Sequence, residues 1–118
     1  MIGCVGNMAI TFDNVRKIGL AFPGVEESTM YGAPALKIKG KMITCIPTHK
    51  SAEPNSLAVR IGFDDREDLL REAPDKYYVK DHYISYTVVL VRMSRIKVSE
   101  LRDLLKMSYR FSIRTKKK

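Results

Sequence analysis

The chain has 118 residues, with 21 lysines and arginines against 13 aspartates and glutamates, which gives a net charge of +8 and a pI near 9.6. That length suits one domain that buries roughly two-thirds of its unfolded surface. A hydrophobic content of 45% with 29% charged residues excludes a chain disordered throughout. Two cysteines exclude a disulfide framework or a four-cysteine zinc site, and no apolar run reaches the ~18 residues of a membrane span.

Residues 1–9 (MIGCVGNMA) show no period and no basic segment of a signal peptide. They read as a loose leader, in which Met8 would serve as a start as well as Met1. Thr11 is expected to cap a first helix, where Phe12, Val15, Ile18 and Phe22 recur at helical spacing until Pro23 and Gly24 stop it. From Ser28 the pattern turns to strands. Met30 and Tyr31 read as a short strand broken at Gly32. Residues 35–39 (ALKIK) alternate apolar and basic side chains, Gly40 turns, and residues 41–47 (KMITCIP) run back, so residues 34–47 read as a β-hairpin. After a polar loop, residues 57–61 (LAVRI) form a further strand.

Asp64 is expected to open a second helix, with Asp64 and Glu67 spaced as a capping box and Pro74 as the stop. Residues 77–80 read as a short strand and residues 81–86 (DHYISY) as a loop. Residues 87–93 (TVVLVRM), rich in β-branched side chains, read as a central strand. Ser99 is expected to cap the last helix, with Leu101, Leu104 and Leu105 as its buried stripe, fraying near residues 111–114, and Phe111 and Ile113 keeping the approach to the tail docked. Residues 115–118 form a free basic tail. The order implies a single α+β domain over residues 10–114, an antiparallel sheet packed with three helices.

Three segments together resemble the MmcQ/YjbR-like family of small bacterial proteins. They are the opening helix running into residues 23–27 (PGVEE), residues 31–41 (YGAPALKIKGK), and residues 81–83 (DHY) followed by residues 89–92 (VLVR). The resemblance spans residues 10–111. It implies a double-wing arrangement similar to the frataxin-like (CyaY-like) fold, and a DNA-binding label without an established reaction. The resemblance leads one to expect Pro-Trp where this chain has Thr87 and Val88, so a large aromatic is absent there.

Among the residues themselves, Lys37 and Lys39 are read on one strand face with Lys41 across the turn, and no acid lies between Lys37 and Lys50. Such a hairpin suits phosphate contacts that position a duplex without reading it, with Arg92 expected on the same basic face. Lysines on an edge strand also serve to prevent aggregation, so both readings stand. The second basic group is Arg110, Arg114, Lys116, Lys117 and Lys118, without which the net charge of +8 would be +3. A flexible basic tail binds polyanions through counterion release, or is simply solvated. Residues 64–75, by contrast, carry six acids and two arginines.

Tyr31, His82, Tyr83 and Tyr86 are read as the flanks of a ligand groove, with His82 expected near residues 31–34. Two histidines, neither beside a carboxylate at useful spacing, assign no catalytic residue. Cys4 and Cys45 lack metal-ligand spacing, and Cys45 is read as a small buried residue on one strand face with Ile43. No metal and no cofactor is implied. The expectation is a small cytoplasmic binding protein whose partner is DNA, with a protein-interaction module as the rival, an uncharacterised enzyme around His82 the remoter one, no membrane contact, and no oligomeric state assigned.

Overall fold

Two-residue turns set the first half of the fold. Tyr31 and Gly32, then Lys39 and Gly40, take positive φ (53° and 81°, then 51° and 81°). A type I′ turn requires this conformation, and it matches the twist of the strands that it joins. The turns link β1 (Val25–Met30), β2 (Ala33–Ile38) and β3 (Lys41–Cys45) into an antiparallel meander. The structure, a computed structural model, describes residues 10–49 and 52–114, and of His82 the backbone alone.

After β4 (Ser56–Arg60) the chain forms α2 (Phe63–Glu72) and the two-residue β5 (Tyr77–Tyr78). β6 (Val88–Arg92) then enters between β4 and β5, giving the antiparallel order β1-β2-β3-β4-β6-β5. With α1 (Phe12–Gly19) and α3 (Val98–Arg114), the chain is a single α+β domain of one antiparallel sheet and three helices. Leu36, Leu57, Val59, Val89 and Val91 meet Leu101, Leu104 and Leu105 of α3 in the main core. Each side chain so buried contributes roughly 1.5–3 kcal/mol. α1 lies close on β2, and a Cβ at Gly19 would stand 2.3 Å from Leu36 Cδ1. A smaller cluster of Ala35, Cys45, Ala58, Tyr78 and Leu90 occupies the sheet's other face.

Several expectations are corrected. α1 ends at Gly19, a turn before Pro23, because Phe22 leaves the helix to stack on Tyr109 at 5.0 Å. β1 starts at Val25 although VEESTM lacks a clean apolar alternation. It is an edge strand, exposed on most of its length, and its ladder with β2 holds it. Tyr31 is a turn residue, not part of a strand. Lys39 is likewise in a turn and shares no strand face with Lys37.

A bulge also changes β3. Leu36 pairs with Thr44 but Lys37 pairs with Met42, which leaves Ile43 as the extra residue. Ile43 therefore packs in the helix-side core while Cys45 belongs to the opposite face, so the two do not alternate as read. β6 is fifth in the sheet order, interior but flanked by only two residues of β5.

The caps also differ. α2 begins after Gly62, so Asp64 and Glu67 form no capping pair, and Asp64 and Asp65 instead sit in its positive first turn. α3 begins at Val98, where the Glu100 carboxylate accepts the Lys97 N–H at 2.8 Å. Its helical geometry continues to Arg114 without fraying at Phe111.

Candidate functional site

The helix-free face of the sheet has small residues at its middle, namely Ala35, Cys45 and Ala58. Among the described residues the three α-helices pack on the opposite face, Tyr83 of the short 3-10 turn Asp81–Tyr83 packs against this one, and residues 46–49 and 86–88 flank its two ends. Between these lies a cavity of about 750 Å³, within the ~300–1,000 Å³ usual for small-molecule sites. Met30, Met42 and Val88 line it together with Cys45 and Ala58, and Tyr31, Tyr83 and Tyr86 stand around its rim. Among the described residues, Arg60 is the lining residue with a permanent charge, and no aspartate or glutamate lines the cavity.

Buried and half-buried arginines hold the walls. Arg66 of α2, 5% exposed, donates to the carbonyls of Ile84 (3.0 Å), Tyr86 (2.9 Å) and Val88 (3.2 Å), fixing the segment that carries Tyr86 and Thr87. At the other end Arg92 binds both Glu53 oxygens at 2.9 Å and packs over the Tyr78 ring at 4.5 Å. The Tyr78 hydroxyl accepts the Glu53 N–H at 2.7 Å and hydrogen-bonds the Ser56 hydroxyl at 2.5 Å. This network anchors residues 52–56 beside the cavity. Rigid walls of this kind preorganise a site.

Electrostatics separate binding from chemistry here. Burial pushes the Cys45 thiol up to about 11, with Lys37 acting weakly in the opposite sense, so the thiol is protonated at neutral pH and no nucleophile. Burial also raises the Tyr83 phenol, with Cys45 adding to the rise and the His49 backbone opposing it. Arg60 lies 5.5 Å from the Phe111 ring centroid, and its Nε is buried without a hydrogen-bond partner. Among the described residues, no group of three or more His, Cys, Asp or Glu side chains stands together as a metal would need.

A second feature lies on the helix side. Arg102, Lys106, Arg110 and Arg114 are all exposed and follow one another at four-residue intervals along α3. Each interval advances ~6 Å, so the ridge is ~18 Å long. None of the four is in an ion pair among the described residues. Lys17 of α1 joins Arg102 and Lys106 along a groove between the two helices, with Asp103 as the one acid among its described lining residues. Ser108 reaches Ile43, and Phe111 reaches Arg60 and the Gly62 position. The last turns of α3 therefore lie over the end of the sheet from which the β2–β3 turn projects.

Tyr31, Tyr83 and Tyr86 come together at one cavity, and the remaining tyrosines of that region, Tyr77 and Tyr78, are buried. The expected position of the His82 side chain near residues 31–34 lies outside the described residues. Lys37 stands directly across the ladder from Glu26, so the hairpin is not free of acid as read from the sequence. Lys39 and Lys41 are at the turn. Arg92 is held by Glu53 beside Ser56, at the end of the sheet opposite that turn, and does not join the lysines in one face. Arg114 ends the α3 ridge, while Lys116, Lys117, Lys118 and Cys4 lie outside the described residues. Val88, where the resemblance leads one to expect Trp, lines the cavity. Arg102 and Lys106 were missed in the sequence, although their four-residue spacing with Arg110 and Arg114 is a signal that could have found them. Arg60 and Arg66 carried no comparable signal.

An antiparallel sheet backed by three helices, with a cavity on its other face, defines a small α+β domain. The YjbR family model matches residues 20–111, and the chain belongs to that family. A crystal structure of Deinococcus radiodurans protein DR2400, with a domain described as DUF419, has the same fold. The two are 20% identical with a TM-score of 0.72, over 89% of this chain and 80% of that one. No curated protein matches the chain. No helix of the described residues is long and apolar enough to cross a membrane.

Proposed function

We propose that this chain is a small cytoplasmic protein that binds duplex DNA weakly and without sequence preference, through phosphate contacts along α3. The observation that carries the reading is the row Arg102, Lys106, Arg110 and Arg114, exposed and without acidic partners among the described residues. Beyond Arg114 the sequence continues with three further lysines, and Lys39 and Lys41 add charge at the same end of the sheet. Cations in a row neutralise successive phosphates and release counterions, which gives affinity but no base discrimination. The acids of α2 belong to a different element, and Asp64 and Asp65 are accounted for by its positive start. Fluorescence anisotropy with duplexes of unrelated sequence tests the reading. Comparable binding to each at low salt, weakening steeply as salt rises, is expected. No binding at low salt contradicts it.

A further inference from the structure

The cavity on the helix-free face has three properties that the packing of the fold does not require. Its floor is apolar and small, with Ala58, Cys45 and Val88 in the lining. Its rim carries Tyr31, 87% exposed and held at φ 53°, a conformation that disfavours a bulky side chain. Among its described lining residues Arg60 is the one permanent charge and no carboxylate answers it, and the buried Nε of that guanidinium makes no hydrogen bond there.

A guanidinium beside apolar walls gains most from an anion that arrives with its own apolar body. Among the described lining residues Arg60 is the single permanent cation, which suits a monoanion. The absence of acids among the described lining residues disfavours cations. Tyrosine rings around the opening favour an aromatic body through edge and offset ring contacts.

We propose that this cavity binds a small aromatic carboxylate, its ring system seated on Met42, Ala58 and Val88 between the tyrosines and its carboxylate on Arg60. Arg60 also packs over the Phe111 ring of α3, but none of the α3 cations lines the cavity, so the site does not rest on the DNA reading. Arg66, through its three carbonyl contacts, is a positioning residue for the wall that carries Tyr86.

The probes are 2-naphthoate and its neutral counterpart 2-naphthamide, titrated calorimetrically into the full chain, with backbone amide shifts mapping the contact. The carboxylate is expected to bind about tenfold more tightly than the amide, as a charge-assisted hydrogen bond implies. Arg60→Met should erase that difference and Arg60→Lys should keep part of it. Val88→Trp, which fills the floor, should abolish binding of both. Tyr31→Ala, at an exposed turn that the core does not touch, should weaken both and leave the amide spectrum dispersed. Shifts should centre on Cys45, Ala58, Tyr83 and Val88. The proposal is overturned if neither probe saturates, if both bind equally to the parent chain, if binding survives Val88→Trp, or if the shifts fall on the α1–α3 groove.

Discussion

The Ser108 hydroxyl on α3 donates to the carbonyl oxygen of Ile43 on β3 at 3.1 Å, with both residues fully buried. Ile43 is the extra residue of the β3 bulge, so the contact supplies a partner to backbone that the strand ladder passes over. It also fixes where α3 crosses the sheet, and thereby where the basic ridge runs. Ser108→Ala should cost about 1–3 kcal/mol, since it leaves a buried carbonyl without its donor. Urea unfolding with an unchanged m-value and a lower midpoint would show this. An unchanged midpoint would mean that the bulge does not depend on Ser108.

Tyr31 and Lys39 are both non-glycine residues at positive φ, each followed by glycine. Asn-Gly is the preferred pair for such a turn. Tyr31→Asn and Lys39→Asn should therefore each stabilise the fold by about 0.5–1 kcal/mol, read as a higher melting temperature. For Tyr31 the gain in stability should accompany a loss of naphthoate affinity. A destabilised Tyr31→Asn protein would show that the tyrosine is retained for packing.

Much of the fold was legible in the sequence because its signals are local. The glycine of each tight turn, the apolar stripe of α3 and the β-branched run of β6 each announce an element. The bulge at Ile43 was not legible, because a period-2 reading places Ile43 and Cys45 on one face. Only the pairing of Leu36 with Thr44 and Lys37 with Met42 reveals the extra residue. β1 was read late because edge-strand pairing outweighs the weak propensity of its acidic residues. Of the residues read as flanking a groove, Tyr31, Tyr83 and Tyr86 line one cavity, and of these Tyr83 and Tyr86 stood out by the concentration of tyrosines in residues 77–86. Arg60 and Arg92 illustrate the limit: identical side chains on neighbouring strands, one at a cavity and in no ion pair among the described residues, the other bound by Glu53, a distinction set by long-range contacts.

The Glu53 and Arg92 pair makes a prediction in pH. The hydrogen bonds from Arg92 hold the Glu53 carboxyl below the usual carboxylate range, and burial opposes this only in part. A depressed folded value gives stability that is complete above the unfolded value of ~4.3 and is lost as pH falls through the folded one. Glu53→Gln should therefore cost about 1 kcal/mol at pH 7, the scale of a partly solvated ion pair. The gap between variant and parent should close as the pH falls below about 4. A gap independent of pH would assign the effect to packing.

Cys45 should be nearly inert. With its thiol raised to about 11 and buried, alkylation by iodoacetamide at pH 8 in a Cys4→Ser background should be on the order of a hundredfold slower than in the urea-unfolded chain. Rapid labelling of the folded protein would show that the cavity floor opens readily to solvent.

The central claim, that α3 carries the DNA contacts, is tested most directly by the salt dependence of duplex binding. Each phosphate contact contributes roughly 0.9 to the downward slope of log affinity against log salt. The triple variant Arg102→Gln, Lys106→Gln and Arg110→Gln should lower the magnitude of that slope by about three, and Lys39→Gln with Lys41→Gln by less. A triple variant that keeps the parent slope and affinity would contradict the account.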